Sequence, residues 1–111
     1  MTHAETERLT STYDGLARTT GHMLDAALAG RWDDLVTLER QCANLIATMT
    51  ALETEEPLPE SLRARKSAML RKVLADDAAI RNITEPWLQQ LGANRHSQRL
   101  LRTYGPSSAA D

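Results

Sequence analysis

Leu35, Leu38, Cys42, Leu45, Met49 and Leu52 recur at alternating steps of three and four residues. That spacing brings one apolar side chain to the same helical face at every turn. A β-strand, with its period of two, cannot gather these side chains on one surface. The segment Trp32–Leu52 therefore reads as an amphipathic helix whose seam must be buried against other helices. Leu35, Leu38, Leu45 and Met49 are its expected core members, and Cys42 on the same seam reads as a small buried hydrophobe rather than a reactive thiolate. Trp32, Val36 and Ile46 form a flanking row, with the Trp32 indole expected in the core at the start of the helix.

Similar periodicity appears on both sides. Across Glu7–Ala29, Leu9, Tyr13, Leu16, Thr20, Met23 and Ala27 form one stripe, widened by Leu24 and Leu28. Gly30 follows where helices commonly stop in the left-handed conformation, and Asp33 and Asp34 suit the positive end of the next helix dipole. Residues 53–59 break the pattern, and Pro59 can open a third helix because its missing N–H costs nothing in a first turn. That helix, Ser61–Gln90, carries Leu62, Met69, Val73, Ile80, Ile83 and Trp87 in one row, with Leu70, Leu74 and Leu88 alongside. Pro86 should kink it, Leu91 extends the pattern and Gly92 is its natural stop. A short last helix, Asn94–Tyr104, carries Leu100, Leu101 and Tyr104 on one side. Sixteen Leu and sixteen Ala against five Val plus Ile, with no Phe, favour helix over sheet. The expectation is one all-α domain over residues 1–111: an elongated antiparallel bundle of three long helices plus a short C-terminal helix. Residues 1–6 and 106–111 are expected to be flexible.

Charge narrows the function classes. Residues 1–60 carry four Arg/Lys and eleven Asp/Glu, net −7, whereas residues 61–111 carry nine and four, net +5. Opposite halves attract when the chain folds back on itself. The total of −2 exerts no global pull toward nucleic acid. The basic run Arg63, Arg65, Lys66, Arg71 and Lys72 is spread around its helix and reads as a solvated face. Single Cys42 excludes an internal disulfide and suits a reducing cytoplasm. No apolar run is long enough for a bilayer, and the first residues lack a signal's basic and apolar regions, so the expected compartment is cytoplasmic. His3 with Glu7 and His22 with Asp25 lack further ligands, so no metal or cofactor is expected. Asp76 and Asp77 point about 100° apart on a helix and read as a solvated rim near Lys72 and Arg81, without catalytic partners.

What remains is apolar surface beyond the needs of a hairpin. The row of Met69, Val73, Ile80, Ile83 and Trp87, with Ile46 and Met49 of the second helix, forms a candidate groove for a partner's amphipathic helix. The alternative is a structural or regulatory homodimer in which the same row pairs with a second copy.

Particular residues go further than periodicity. The block Met23-Leu24-x3-Leu28-x-Gly30-x-Trp32-Asp33-x-Leu35-x3-Glu39 resembles the helix-turn-helix of the flagellar FliT family. Leu70 through Leu74, Asp76–Asp77, Ile80-Arg81, Leu88 and Leu91 resemble its later part, and Leu100-Leu101-x2-Tyr104-Gly105 its ending. The resemblance covers roughly residues 9–105. It implies a cytoplasmic type III export chaperone that binds the C-terminal helical segment of the filament cap protein and blocks its premature assembly. It also implies contacts with the export ATPase complex and export gate, and a last helix, residues 94–105 with Leu100, Leu101 and Tyr104, that gates the groove.

Overall fold

In a computed structural model of the chain, α1 spans His3–Leu28, α2 spans Trp32–Leu52 and α3 spans Glu60–Tyr104. The structure describes residues 1–54 and 57–104, with side chains up to residue 86 and at Gln89. No strand occurs among the described residues. The chain divides into two compact units, Met1–Ile80 and Arg81–Asp111.

Helix α1 starts four residues earlier than the apolar stripe suggests. Thr2 caps it, its Oγ1 accepting a hydrogen bond from the Glu5 N–H at 3.1 Å. Thr2-x-x-Glu5 is the sequence pattern of a capping box, and it satisfies a donor that the first turn would leave unpaired. At the other end the chain makes a complete Schellman turn. The Arg31 N–H reaches the Ala26 carbonyl at 2.8 Å, and the Gly30 N–H reaches that of Ala27 at 3.2 Å. Gly30 has φ +69°, as expected at this position. Helix α2 then runs over the residues expected from its seam.

Between α2 and α3, Leu58 is buried beside Pro57 and Pro59. The Pro59 carbonyl accepts from the Arg63 N–H at 2.9 Å, opening α3. Helical backbone continues through Pro86. It also continues through Gly92, so the short last helix expected at Asn94–Tyr104 is not a separate element. A helical Gly costs only about 1 kcal/mol relative to Ala, which weakens a helix without ending it. The side chains of Trp87, Leu100, Leu101 and Tyr104 lie outside the described residues, as does the tail 105–111.

The core of residues 1–80 is organised around α1. Leu9, Tyr13, Leu16, Leu58, Leu62 and Met69 form one buried cluster, with Cys42, Leu45, Met49, Leu52 and Val73 packed against it. Thr12, Gly15, Thr20, Ala26 and Ala27 are buried too, so α1 is covered over a wide arc. The α2 seam is less deeply buried than expected. Leu35 is buried, whereas Leu38, Cys42, Leu45 and Met49 are half-buried. The edges of the α2 seam meet water, whereas α1 is covered by both α2 and α3. Trp32 departs further from expectation: the indole is 39% exposed, and neighbouring Leu28 is 69% exposed. The turn is held by backbone hydrogen bonds and the positive φ of Gly30, not by a buried tryptophan.

Three stability changes follow, each measurable by urea unfolding. Gly30→Val should destabilise by about 1–2 kcal/mol, because a β-branched residue is strained at positive φ. Gly15→Ala should stabilise by about 0.5–1 kcal/mol, through the better helix propensity of Ala. There the added methyl would lie 3.5 Å from both Leu45 Cδ atoms, an ordinary contact. Trp32→Ala should cost about 1 kcal/mol or less, rather than the roughly 3–5 kcal/mol of a core indole.

Candidate functional site

Two carboxylates are withdrawn from water inside the bundle, and each is shared by a hydroxyl from α1 and a lysine from α3. Glu53, at the C-terminal cap of α2, accepts a hydrogen bond from the Tyr13 hydroxyl and pairs with Lys66 Nζ at 2.7 Å. Asp76, on α3, accepts from Thr20 Oγ1 at 2.9 Å and pairs with Lys72. Only 10% of the Glu53 side chain and 8% of the Asp76 side chain are accessible. Among the described residues no buried side-chain polar atom lacks a partner. Asp76 is therefore a buried tie between α1 and α3, not the solvated rim residue its position beside Asp77 suggests. Asp77 itself is exposed.

These surroundings tune two other groups. Burial raises the Tyr13 phenol well above its ordinary pKa of 10.0, and the hydrogen bond and negative charge of Glu53 raise it further. Burial also pushes the Cys42 thiol up, with the charge of Glu39 adding to it. A raised pKa keeps the thiol protonated and unreactive near neutrality, as its place on the seam suggests. Among the described residues no group of three or more His, Cys, Asp or Glu could hold a metal ion. No described helix is long and apolar enough to cross a membrane.

The residues expected to line a partner groove separate into two sets. Met69 belongs to the core cluster and Ile80 is buried, so neither offers open surface. Met49, Val73 and Ile83 are half-buried, and Ile46 is 46% exposed. The row of α3 that faces water is the other one: Leu70 is 41% exposed and Leu74 is 64% exposed. The sequence shows both rows, and the deciding sign is that the inward row also contains Lys66 and Asp76, the α3 members of the two polar ties. The open apolar side chains thus comprise Leu28 at the end of α1, Trp32, Val36 and Ile46 on α2, and Leu70 and Leu74 on α3.

With this geometry in place, comparison with known proteins settles the family. The profile of the family described as Flagellar protein FliT matches residues 10–106. The chain belongs to the FliT family. The crystal structure of flagellar protein FliT from Bordetella bronchiseptica is 33% identical and superposes with a TM-score of 0.69. The match covers 77% of this chain and 96% of that one. No curated protein matches the sequence.

The polar ties give two testable consequences. Thr20→Val should cost about 1–3 kcal/mol in urea unfolding, because buried Asp76 loses a donor, and Thr20→Ser should restore most of it. Tyr13 adds a pH dependence. Below its ordinary value of 10.0 the phenol is protonated in both folded and unfolded chains. Above that value the unfolded chain loses the proton first, so the contribution of Tyr13 to stability fades as pH rises. The stability difference between wild type and Tyr13→Phe should therefore be constant from about pH 7 to 9 and should shift by about 1.4 kcal/mol per unit above pH 10, to the disadvantage of wild type.

Proposed function

We propose that the protein is a cytoplasmic flagellar export chaperone. It binds the C-terminal helical segment of the filament cap protein, prevents premature assembly and delivers the subunit to the type III export apparatus through its ATPase complex and gate. Membership of the FliT family supports the flagellar role. The observation that carries the binding role is the open apolar surface of Ile46, Leu70 and Leu74 on a small helical scaffold. Leu70 and Leu74 lie one helical turn apart, and an exposed apolar patch marks a docking surface more often than a resting one. An amphipathic client helix would cover them and use the half-buried Met49 and Val73 as the floor of the groove.

The energetics suit handover. Burying about 500 Å² of apolar area is worth roughly 12 kcal/mol gross. Ordering and association costs remove most of that, leaving a complex that can be released.

Leu70→Asp combined with Leu74→Asp tests the reading. Both side chains face water, so circular dichroism should stay native while affinity for the cap protein's C-terminal segment falls by about a hundredfold or more in a calorimetric titration. Retained affinity with native helicity would place the client elsewhere. Val73→Asp and Ile80→Asp are poorer probes, since charges at those packed positions disturb folding along with binding.

A further inference from the structure

The turn between α1 and α2 carries open surface that the proposed client does not use. Trp32 and Val36, one helical turn apart at the start of α2, are 39% and 47% exposed, and Leu28 at the end of α1 is 69% exposed. Two clefts flank the turn. His22, Asp25, Arg31, Asp34, Thr37 and Leu38 line the first, about 450 Å³ in volume. Gly30, Arg31, Trp32, Asp33 and Asp34 line the second, about 400 Å³ in volume. Arg31 and Asp34 belong to both, so the clefts adjoin. The turn thus brings carboxylates from two helices, Asp25 and Asp34, into one cleft, with Asp33 in the next. Arg31 Nε lies 3.5 Å from Asp34, but both side chains are more than half exposed. Such a pair contributes little and exchanges readily for another cation. Asp33 and Asp34 suit the start of α2, whereas Asp25 stands in the last turn of α1, where a helix prefers cations. Beyond Val36, Glu39 and Arg40 offset each other, which confines the acidic character to the turn.

We propose that this surface docks a cationic amphipathic helix of another protein. Apolar side chains of that helix cover Leu28, Trp32 and Val36, while its lysines or arginines enter the clefts beside Asp25, Asp33 and Asp34. An arginine in the first cleft meets carboxylates from both helices and can displace Arg31 from Asp34. The same carboxylates repel anionic surfaces, whether bilayer or nucleic acid. Three apolar side chains make a small interface, below the roughly 1,200 Å² of durable complexes, so the contact is transient and sensitive to salt. It shares no residue with the Leu70 and Leu74 strip, and either proposal can fail without the other.

The probe is a labelled synthetic peptide of about 16 residues, with leucines at helical spacing and lysine and arginine elsewhere. Two comparators accompany it. One has glutamate in place of every basic residue, and the other has the basic sequence shuffled so that no apolar face forms. Fluorescence anisotropy with the full chain should give a Kd of about 10 μM for the cationic amphipathic peptide in about 0.05 M salt. Raising salt to about 0.5 M should weaken binding about tenfold, and each comparator should bind about tenfold more weakly or worse. Asp25→Asn with Asp34→Asn should cost about tenfold in affinity, and Trp32→Ser about fivefold. Leu70→Ser with Leu74→Ser should change nothing. A comparator that binds as well as the probe overturns the proposal. So does a turn variant that binds like wild type, or a strip variant that loses the peptide. Circular dichroism checks that each variant is folded; should Trp32→Ser lose helicity, Val36→Ser takes its place.

Discussion

Helix α1 is held from two sides, and the polar part of that grip consists of two carboxylates that water barely reaches. Burying a carboxylate is costly unless it is hydrogen-bonded and paired, and Glu53 and Asp76 each have a hydroxyl and a lysine. The apolar contacts around them are tolerant: leucine against leucine fits in more than one alignment. The carboxylates are not tolerant. Sliding α3 by one heptad would bring Asp76 to the place of Met69, among Leu9, Tyr13 and Leu16, with Thr20 out of reach. The pairs therefore act chiefly on alignment, as a single polar residue does in a coiled-coil seam. Their net contribution to stability is secondary, since an ion pair taken out of water recovers little more than its desolvation cost.

Much of the helical layout was legible in the residues. The steps of three and four from Leu35 to Leu52 located α2, and Gly30 marked the end of α1 because a left-handed residue is needed there. Thr2-x-x-Glu5 also announced the early start of α1, but the apolar stripe begins only at Leu9 and a stripe is the wrong signal for a capped, solvated first turn. Gly92 misled in the other direction. Glycine lowers helix propensity, yet an end requires a positive φ or a competing contact, and α3 has helical backbone on both sides of it.

The candidate surface was harder to read, for a different reason. Periodicity shows that α3 has two apolar rows but not which of them faces α1. Counting only apolar residues makes the Leu62, Met69, Val73, Ile80 row look spare, because Lys66 and Asp76 interrupt it. Those interruptions show that the row is inward, since a lysine and an aspartate spaced into a heptad seam need partners on a facing helix. Once the row is assigned to the core, Leu70 and Leu74 are the side chains left to meet something else. Trp32 teaches a related lesson: a large indole beside a tight turn need not be part of what holds the turn.

The two ties join residues far apart along the chain: 40 residues separate Tyr13 from Glu53, and 56 separate Thr20 from Asp76. The hairpin of α1 and α2 closes over a three-residue turn, whereas α3 follows α2 across residues 53–59 and meets α1 only from beyond the length of α2. Loop entropy therefore favours forming the hairpin first and releasing α3 first. Amides of α3 should accordingly exchange with solvent through a partial opening that leaves the hairpin formed. Such an intermediate exposes the inward row of α3 together with the arc of α1 it had covered. A protein of this design has, one step below its native state, a second and larger apolar surface that the folded chain keeps out of sight.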